Sequence, residues 1–207
     1  MNRKPVQTRR YKGARRRMAT VVFCALAFGI TACSGDGADG GDGSNSTSSK
    51  APDTKKAAQA VEDGLTAHAA GDLEAAANAY NSALDYDPAN QYALYNLALI
   101  DEAAGNYGLA EDRYRAALET DPEYEPALFN LAILRTAGDD PAEAQELYER
   151  AVAAEPKDAA AWLNLGLLQR DNGQPRAGDE AVLRAIALNP DLQDPAQPAA
   201  GDGPTGS

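Results

Sequence analysis

The chain has 207 residues, of which 44% are hydrophobic, and a formal net charge of −12. This length fits one domain of ordinary size with tails. Residues 1–32 hold 8 of the 19 Lys and Arg residues and no acid, so the remainder carries 11 minus 31, or −20. Such a charge repels nucleic acid and anionic lipid, so we expect no nucleic-acid partner. The acidic surface serves either solubility or a basic partner.

The N-terminus combines a basic segment with a short apolar run. Residues 3–17 are rich in Arg and Lys, and residues 18–32 (MATVVFCALAFGITA) carry no charge. This order is typical of an export signal, and the run is too short to be read as a membrane-spanning helix. We therefore predict a signal peptide over residues 1–32.

The end of this segment, Ile30-Thr31-Ala32-Cys33, resembles the lipobox of bacterial lipoproteins. The resemblance implies cleavage before Cys33 and lipidation of its thiol, which would anchor the protein to a membrane. It also favours the outer membrane in a cell with two, because Ser34 replaces the Asp that marks inner-membrane retention. The alternative is an ordinary secretory signal with Cys33 as a free thiol. Cys24 would leave with the signal, so the mature monomer has no disulfide.

A low-complexity segment follows the cysteine. Residues 34–53 are mostly Gly, Ser and Asp, without an apolar run. This composition predicts a flexible linker over 33–53, with an r.m.s. span of about 25 Å for twenty residues.

A 34-residue period organises the rest of the chain, because Pro88, Pro122, Pro156 and Pro190 are evenly spaced. A period of this length indicates a repeat array. Counting repeat positions from residues 57, 91, 125 and 159, position 27 is always alanine, and position 24 is Tyr80, Tyr114, Tyr148 or Val182. A large side chain at helical spacing from small ones indicates two closely packed helices.

The fourth repeat, with Trp162, Leu165 and Gly166 followed by a later Ala and Pro, resembles the tetratricopeptide pattern. The resemblance covers residues 57–192. It implies an all-α fold, a right-handed α-solenoid of four helix-turn-helix repeats over 54–190 (57–90, 91–124, 125–158 and 159–192). The linker before it and the tail at 191–207 are predicted to be disordered.

Capping and turn residues predict where the helices begin and end. We expect pairs at about 54–70 and 73–86, 90–104 and 107–120, 124–137 and 141–154, and 158–172 and 175–188. Asp53 and Thr54 suit an N-cap, and Pro141 and Pro175 suit a first helical turn. The turn glycine stands at position 15 in three repeats but one place earlier, at Gly138, in the third.

The tail beyond Pro190 contains prolines and will not form the closing helix that repeat arrays normally need. The last helix should then expose Val182, Leu183 and Ile186. Either this end frays, or it packs on a partner or a second copy, which would make a homo-oligomer through residues 175–188.

The repeats offer few groups for catalysis. His68 is the only histidine, and Ser82 is the only serine between Ser49 and Ser207. Nucleophilic catalysis needs a nucleophile beside a base, and zinc needs three or four ligands. There is also no glycine-rich phosphate loop. We expect no enzyme, no catalytic residue, no metal site and no cofactor.

In the family that the chain resembles, the first helix of each repeat lines a concave groove through positions 2, 5, 6, 9, 12 and 13. The groove set predicted from these positions is Tyr92, Tyr95, Asn96, Leu99, Phe129, Asn130, Ile133, Leu163, Asn164 and Leu167. The apolar members are candidate anchors, and the asparagines either bind a peptide backbone or form framework. Lys and Arg are absent from positions 2, 5 and 6, where chaperone-binding members hold a carboxylate, so we expect a neutral or basic segment.

Together these features predict a non-catalytic protein-protein interaction scaffold at the cell envelope, facing the periplasm or the cell exterior. The resemblance suggests a role in envelope assembly. Two alternatives are a structural protein that self-associates through its last helix and an enzyme or sugar-binding module. The latter would require a cluster of convergent polar or aromatic residues, which the sequence does not show.

Overall fold

The computed structural model describes residues 51–195, so the predicted signal peptide, Cys33 and most of the linker and tail lie outside the described residues. Within this range the chain forms eight α-helices and no strand: α1 Thr54–Ala69, α2 Leu73–Tyr86, α3 Gln91–Ala103, α4 Tyr107–Thr120, α5 Glu125–Ala137, α6 Pro141–Ala154, α7 Ala159–Asp171 and α8 Pro175–Leu188. The predicted all-α solenoid is confirmed, and the predicted helix ends agree within one residue.

Side-chain caps explain why several helices begin where they do. The Asp53 carboxylate accepts from the backbone N–H of Lys56 at 3.2 Å, as its sequence position predicted. Asp72 caps α2 and Asn90 caps α3 through equivalent bonds of 2.9 and 3.0 Å. Such caps satisfy N–H groups that have no partner within the helix. Pro175 begins α8, where its missing N–H is harmless.

The turn inside each hairpin requires a left-handed residue at position 15. Gly71, Gly105 and Gly173 take φ values of 82°, 81° and 77° there. In the third repeat the sequence assigned this role to Gly138, which is wrong: Gly138 has φ −85°, and Asp139 takes the left-handed conformation with φ 61°. Aspartate tolerates this region better than most residues, so the turn keeps its place without glycine.

The periodic prolines separate one hairpin from the next. Each second helix ends two residues before its proline, and the residue between them is extended, as at Asp87 (φ −143°, ψ 93°) and Asp121 (φ −134°, ψ 97°). Proline disfavours helix in the residue before it, so the chain must turn at this point.

Each helix packs mainly on its neighbours along the chain, α1 on α2, α2 on α3 and so on to α8. Position 20 is Ala76, Ala110 and Ala144 in the first three repeats, and these alanines are fully buried. Tyr80 and Tyr114 are equally buried at position 24. A repeat cannot bury its apolar stripe alone, so this stacking holds the solenoid together.

The C-terminal end differs from the prediction. Val182 was expected to be exposed, but it is only 1% exposed and lies in a cluster with Leu163 and Ala185. Leu192 packs against this cluster, and Asp194 forms an ion pair with Arg170. Packed chain thus continues beyond residue 190, without a further helix in the described residues. Leu183 is exposed as predicted, and Ile186 is half-buried.

Candidate functional site

The groove set lies on the first helices of three repeats. Helix α3 carries four of its members, and α5 and α7 carry three each: Tyr92, Tyr95, Asn96, Leu99; Phe129, Asn130, Ile133; and Leu163, Asn164, Leu167. The members on α3 and α5 contact one another across the repeat boundary, since the Asn130 amide donates to the Tyr95 hydroxyl at 3.1 Å.

Three tyrosines form an aromatic surface at this boundary. The Tyr124 ring lies edge-on to Tyr92 and Tyr95, with ring centroids 5.8 and 5.4 Å apart. Tyr92 is 52% exposed, and Tyr95 and Tyr124 are half-buried. Edge-to-face packing restrains the orientation of these rings. We call Tyr92, Tyr95 and Tyr124 the tyrosine patch.

The three asparagines predicted to line the groove, Asn96, Asn130 and Asn164, differ in their hydrogen bonds. Asn96 is buried and donates to the backbone carbonyl of Tyr92 at 2.7 Å. Asn130 is bound to Tyr95. The Asn164 side-chain nitrogen is enclosed and has no hydrogen-bond partner among the described residues. Asn96 and Asn130 therefore support their own helices and neighbours, which is the second of the two roles predicted for these asparagines.

The apolar members of the groove set differ in what they offer a ligand. Phe129 is only 5% exposed and packs edge-on against Tyr148, with centroids 6.0 Å apart. Leu163 is similarly buried. Leu99 and Ile133 are half-buried and pack against the buried cluster that includes Leu128. Phe129 and Leu163 are therefore buried beneath the candidate groove and support its surface residues.

The α7 members belong to a different cluster from those on α3 and α5. Leu163 packs with Val182 and Ala185, and Leu167 and Leu192 pack against the same cluster. The candidate groove thus has two apolar parts, one around the tyrosine patch and one around Leu167 and Leu192.

Position 12 is a charged residue in two repeats, Glu102 and Arg170. Both side chains already have hydrogen-bond partners within the protein. The Glu102 carboxylate accepts from the Tyr114 hydroxyl at 3.0 Å, and burial raises the pKa of Glu102 despite this bond. Arg170 binds Asp194 through two hydrogen bonds of 2.7 and 3.0 Å and Asp179 through another of 2.7 Å. These carboxylates raise the pKa of Arg170 and occupy its guanidinium.

Two residues next to the groove set were missed. Tyr124 and Leu192 both occupy position 34, immediately before the next repeat or the tail. Tyr124 packs on Tyr95, at position 5 of its own repeat. Leu192 packs against the cluster that contains Leu163, at position 5 of the fourth repeat. A large apolar residue at position 34 was the available signal, because that position holds the capping residues Asn90 and Asp158 in the other repeats.

Between residues 51 and 195, no group of three or more His, Cys, Asp or Glu side chains could hold a metal ion. In the same range no helix is both long and apolar enough to cross a membrane.

Solved structures of similar fold include several repeat proteins. PilF of Pseudomonas aeruginosa is 24% identical, with a TM-score of 0.60 over 67% of this chain and 63% of that chain. MamA of Desulfovibrio magneticus RS-1 is 24% identical, with a TM-score of 0.57 over 65% and 76%. The first tetratricopeptide domain of Spaghetti (RPAP3), bound to the HSP90 peptide SRMEEVD, is 24% identical, with a TM-score of 0.55 over 59% and 97%. These likenesses show the fold.

No curated protein matches the chain. A family model described as tetratricopeptide repeat matches residues 61–125 and 129–193, which is more than half of the sequence. Proteins with this fold are generally non-catalytic scaffolds for protein-protein interaction. The chain belongs to the tetratricopeptide repeat family.

Proposed function

We propose that this protein is an exported, lipid-anchored scaffold that binds a segment of another protein at the cell envelope. The observation that carries the proposal is the tyrosine patch. Tyr92 exposes half of its surface while its ring is held by Tyr124. A fixed, exposed aromatic ring loses little entropy on binding, and such residues dominate the energy of many interfaces.

The charges around the groove set favour a neutral or basic partner segment. The peptide SRMEEVD in the Spaghetti complex has three acidic residues and one arginine. This chain has no Lys or Arg at positions 2, 5 and 6, and Arg170 at position 12 is already bound by Asp179 and Asp194. An acidic peptide would find no accessible cation among the groove set, while Glu102 would repel it.

The anchor and the location rest on the sequence of residues 1–53. The basic segment, the apolar run and Ile30-Thr31-Ala32-Cys33 support export and lipidation of Cys33, with the linker holding the repeats away from the membrane. Replacing Cys33 with alanine should move the protein from the membrane to the soluble fraction. Membrane association that survives Cys33→Ala would contradict the anchor.

Crosslinking in intact cells tests the groove, with Tyr92→Ala as the variant. We expect Tyr92→Ala to lower recovery of the crosslinked partner several-fold, because truncating a hot-spot aromatic residue costs about 2 kcal/mol, which is about thirtyfold in affinity. Tyr107→Ala is the matched control, since Tyr107 is 54% exposed but lies on α4, outside the groove set. Equal recovery from the two variants, with unchanged helical content, would exclude the tyrosine patch as the binding surface.

The second candidate function is self-association through α8. Leu183 favours it, because this residue is 66% exposed, whereas Val182 is buried and Leu192 packs against its cluster. Size exclusion over a range of concentrations tests this candidate. A dimer that dissociates in Leu183→Asp would support it, and a monomer at every concentration would eliminate it.

A further inference from the structure

The tail begins with a turn that the other repeats use between one hairpin and the next. In the first repeat the Asn90 N–H donates to the Asp87 carbonyl at 3.0 Å. In the fourth, the Leu192 N–H donates to the Asn189 carbonyl at the same distance. The Asn189 side chain also accepts from the N–H of Asp191 at 3.1 Å. The chain therefore leaves α8 through the same kind of turn that leads from α2 into α3.

In the first repeat, helix α3 covers the surface that follows this turn. Three residues of the repeat, at positions 5, 24 and 27, belong to one buried cluster: Val61, Tyr80 and Ala83. Helix α3 adds Ala93 and Leu97 to the same cluster. Solenoid repeats bury their apolar residues against the next repeat in this way. The fourth repeat needs another cover for the same positions.

In the fourth repeat the tail provides this cover. The residues at positions 5, 24 and 27 form a separate buried cluster: Leu163, Val182 and Ala185. Leu192 packs against the cluster, and no helix follows it in the described range, which ends at residue 195. Leu192 is half-buried, and both of its neighbours in sequence are exposed. One partly exposed side chain thus covers positions that two buried side chains of α3 cover in the first repeat.

A second contact of the tail is an ion pair with position 12. The Arg170 guanidinium donates to both carboxylate oxygens of Asp194, at 2.7 and 3.0 Å. The Asp194 side chain is only 9% exposed, and that of Arg170 is 18% exposed. A two-point ion pair with so little exposure is stronger than a pair on the open surface. Asp179 of α8 also accepts from Arg170, at 2.7 Å, so it restrains the guanidinium independently of the tail.

Position 12 of the second and third repeats does not offer such a contact. Glu102 and Thr136 are hydrogen-bonded there to the tyrosine hydroxyl at position 24. The fourth repeat has Val182 at position 24, which has no hydroxyl group, and its Arg170 binds the tail instead. The fourth repeat therefore places a cation beside an apolar cluster, and the tail contacts both.

The cluster and the cation beneath the tail consist of four residues, which we call the end surface: Leu163, Arg170, Val182 and Ala185. We propose that the end surface binds an extended segment of a partner protein, in which a large aliphatic residue is followed two residues later by an acid. Leu192 and Asp194 have this spacing, so the tail shows the chemistry that fits. The tail is then a resident occupant, which the partner segment displaces.

Displacement is possible because the tail is bound through few contacts. Leu192 and Asp194 supply the contacts described above, and the segment around them forms neither helix nor strand. The advantage of the tail is proximity, since a short tether gives an effective concentration of roughly millimolar. A partner segment overcomes this advantage when another part of the partner is already bound to the protein. An acidic segment that displaces the tail therefore gains access to Arg170.

Titration of short peptides into the ¹⁵N-labelled full chain tests the end surface. The probe is NPDLQDP, the sequence of residues 189–195, with both ends blocked. The single tryptophan, Trp162, packs against the cluster of the end surface, so its indole N–H signal reports occupancy. We expect saturable shifts of this signal in the unmodified chain. The double variant Leu192→Ser with Asp194→Asn should bind the probe several-fold more tightly, because its own tail no longer competes.

Two peptides of identical composition test the position of the acid. NPNLQDP keeps the acid that corresponds to Asp194, whereas NPDLQNP keeps the one that corresponds to Asp191, which is exposed. We expect NPNLQDP to bind about tenfold more tightly, because only its acid reaches Arg170. Adding Arg170→Gln to the double variant should make the two peptides bind equally. NPDSQDP, which lacks the leucine, should bind about tenfold more weakly than the probe.

Each contrary outcome overturns one part of the proposal. Absence of a saturable shift at Trp162 in both proteins overturns the binding site. Equal binding of NPNLQDP and NPDLQNP to the double variant overturns the role of Arg170. Equal binding of the probe to the unmodified chain and to the double variant overturns the role of the tail as occupant. None of the residues changed belongs to the tyrosine patch, so failure here is distinguishable from failure of the proposed function.

Size exclusion of the unmodified chain distinguishes a partner protein from a second copy. We expect no dimer that depends on the tail. A dimer that is lost in the double variant would mean that the end surface takes the tail of a second copy, which overturns the proposed partner.

Discussion

The central repeats and the last repeat build the same hairpin from different side chains. The second and third repeats pack a buried tyrosine at position 24, Tyr114 or Tyr148, against alanine at positions 8 and 20. The fourth repeat has Val182 at position 24, with Gly166 and Gly178 at positions 8 and 20. The fourth repeat thus has a smaller side chain at position 24, and it also lacks the alanine methyl groups at positions 8 and 20.

Closer approach of the helices compensates for the missing ring. A Cβ atom added to Gly166 would lie 2.7 Å from the Gly178 carbonyl oxygen and 2.8 Å from Val182 Cγ2. In the first repeat the same position serves the opposite purpose, because Gly64 makes room for Tyr80, whose ring would lie 2.4 Å from an added Cβ. Packing density is maintained in both cases, by backbone approach in one and by a larger ring in the other.

In the second and third repeats the tyrosine hydroxyl at position 24 is hydrogen-bonded to the residue at position 12. The Tyr114 hydroxyl donates to Glu102, and burial raises the pKa of Tyr148 to about 12 despite its hydrogen bond with Thr136. Val182 has no hydroxyl, and in its repeat Arg170 binds Asp179 and Asp194 instead. The fourth repeat thus has Val182 in place of tyrosine, and its position 12 residue, Arg170, contacts Asp194 at the start of the tail.

The largest expected effect on stability comes from replacing the tyrosine at position 24 of the second repeat with valine, the residue found at position 24 of the fourth repeat. Tyr114→Val should lower the free energy of unfolding by about 3 kcal/mol, because the second repeat has alanines where close approach would require glycines. Urea denaturation followed by circular dichroism measures this change. Tyr107→Val is the control, since Tyr107 is exposed and its loss should change stability by about 0.5 kcal/mol or less. A cost below about 1 kcal/mol for Tyr114→Val would show that the helices simply close up, and the comparison would fail.

Adding a methyl group to the last repeat is the converse test. Gly166→Ala should destabilise the protein by about 1–3 kcal/mol, because the new Cβ meets backbone atoms that belong to the opposing helix. Gly108→Ala on α4 is the control. Nothing lies within 4 Å of where its Cβ would be, so the same substitution should be neutral or stabilise by up to about 1 kcal/mol. Equal changes in melting temperature for the two variants would rule out close approach as the cause.

The helices could be predicted from the sequence and several side-chain contacts could not, for a physical reason. Helix ends depend on local signals, such as the Asp53 cap and the prolines two residues beyond each second helix. Burial of Val182 depends on how closely two glycines let the backbones approach and on where Leu192 folds back. Neither is periodic, so the repeat pattern does not contain them.

The candidate site shows the same division between local and long-range information. Repeat positions placed Tyr92 and Tyr95 on one helix, where the structure has them. The partners of Asn96 and Asn130 depend on which donor and acceptor atoms lie within about 3 Å, which spacing alone does not determine. Tyr124 joins the tyrosine patch from position 34, which is not a groove position, because the chain turns back before α5.

A smaller effect is expected at the tail contact that distinguishes the last repeat. Asp194→Asn should lower the free energy of unfolding by about 1 kcal/mol, because it replaces a charge-assisted, two-point contact with Arg170 by a weaker neutral one. Asp191→Asn is the control, since Asp191 is exposed in the same segment. If both variants unfold at the same denaturant concentration as the unmodified chain, Asp194 does not stabilise the end of the solenoid.

The smallest expected effect is a pH dependence confined to the central repeats. Burial raises the pKa of Glu102 above its usual value of 4.5, so the folded state holds this proton more tightly than the unfolded state. The stabilising contribution is therefore complete below pH 4.5 and is lost as pH rises through the folded-state value. Glu102→Gln removes the charge and can still accept from Tyr114, so the variant should melt higher than the unmodified chain at pH 7, with a difference that disappears on acidification. Glu119→Gln, at an exposed residue of α4, should show no such trend. If the difference in melting temperature between Glu102→Gln and the unmodified chain grows as pH falls, the folded state stabilises the charged carboxylate of Glu102. Burial would then not raise the pKa of Glu102, and the prediction would be wrong.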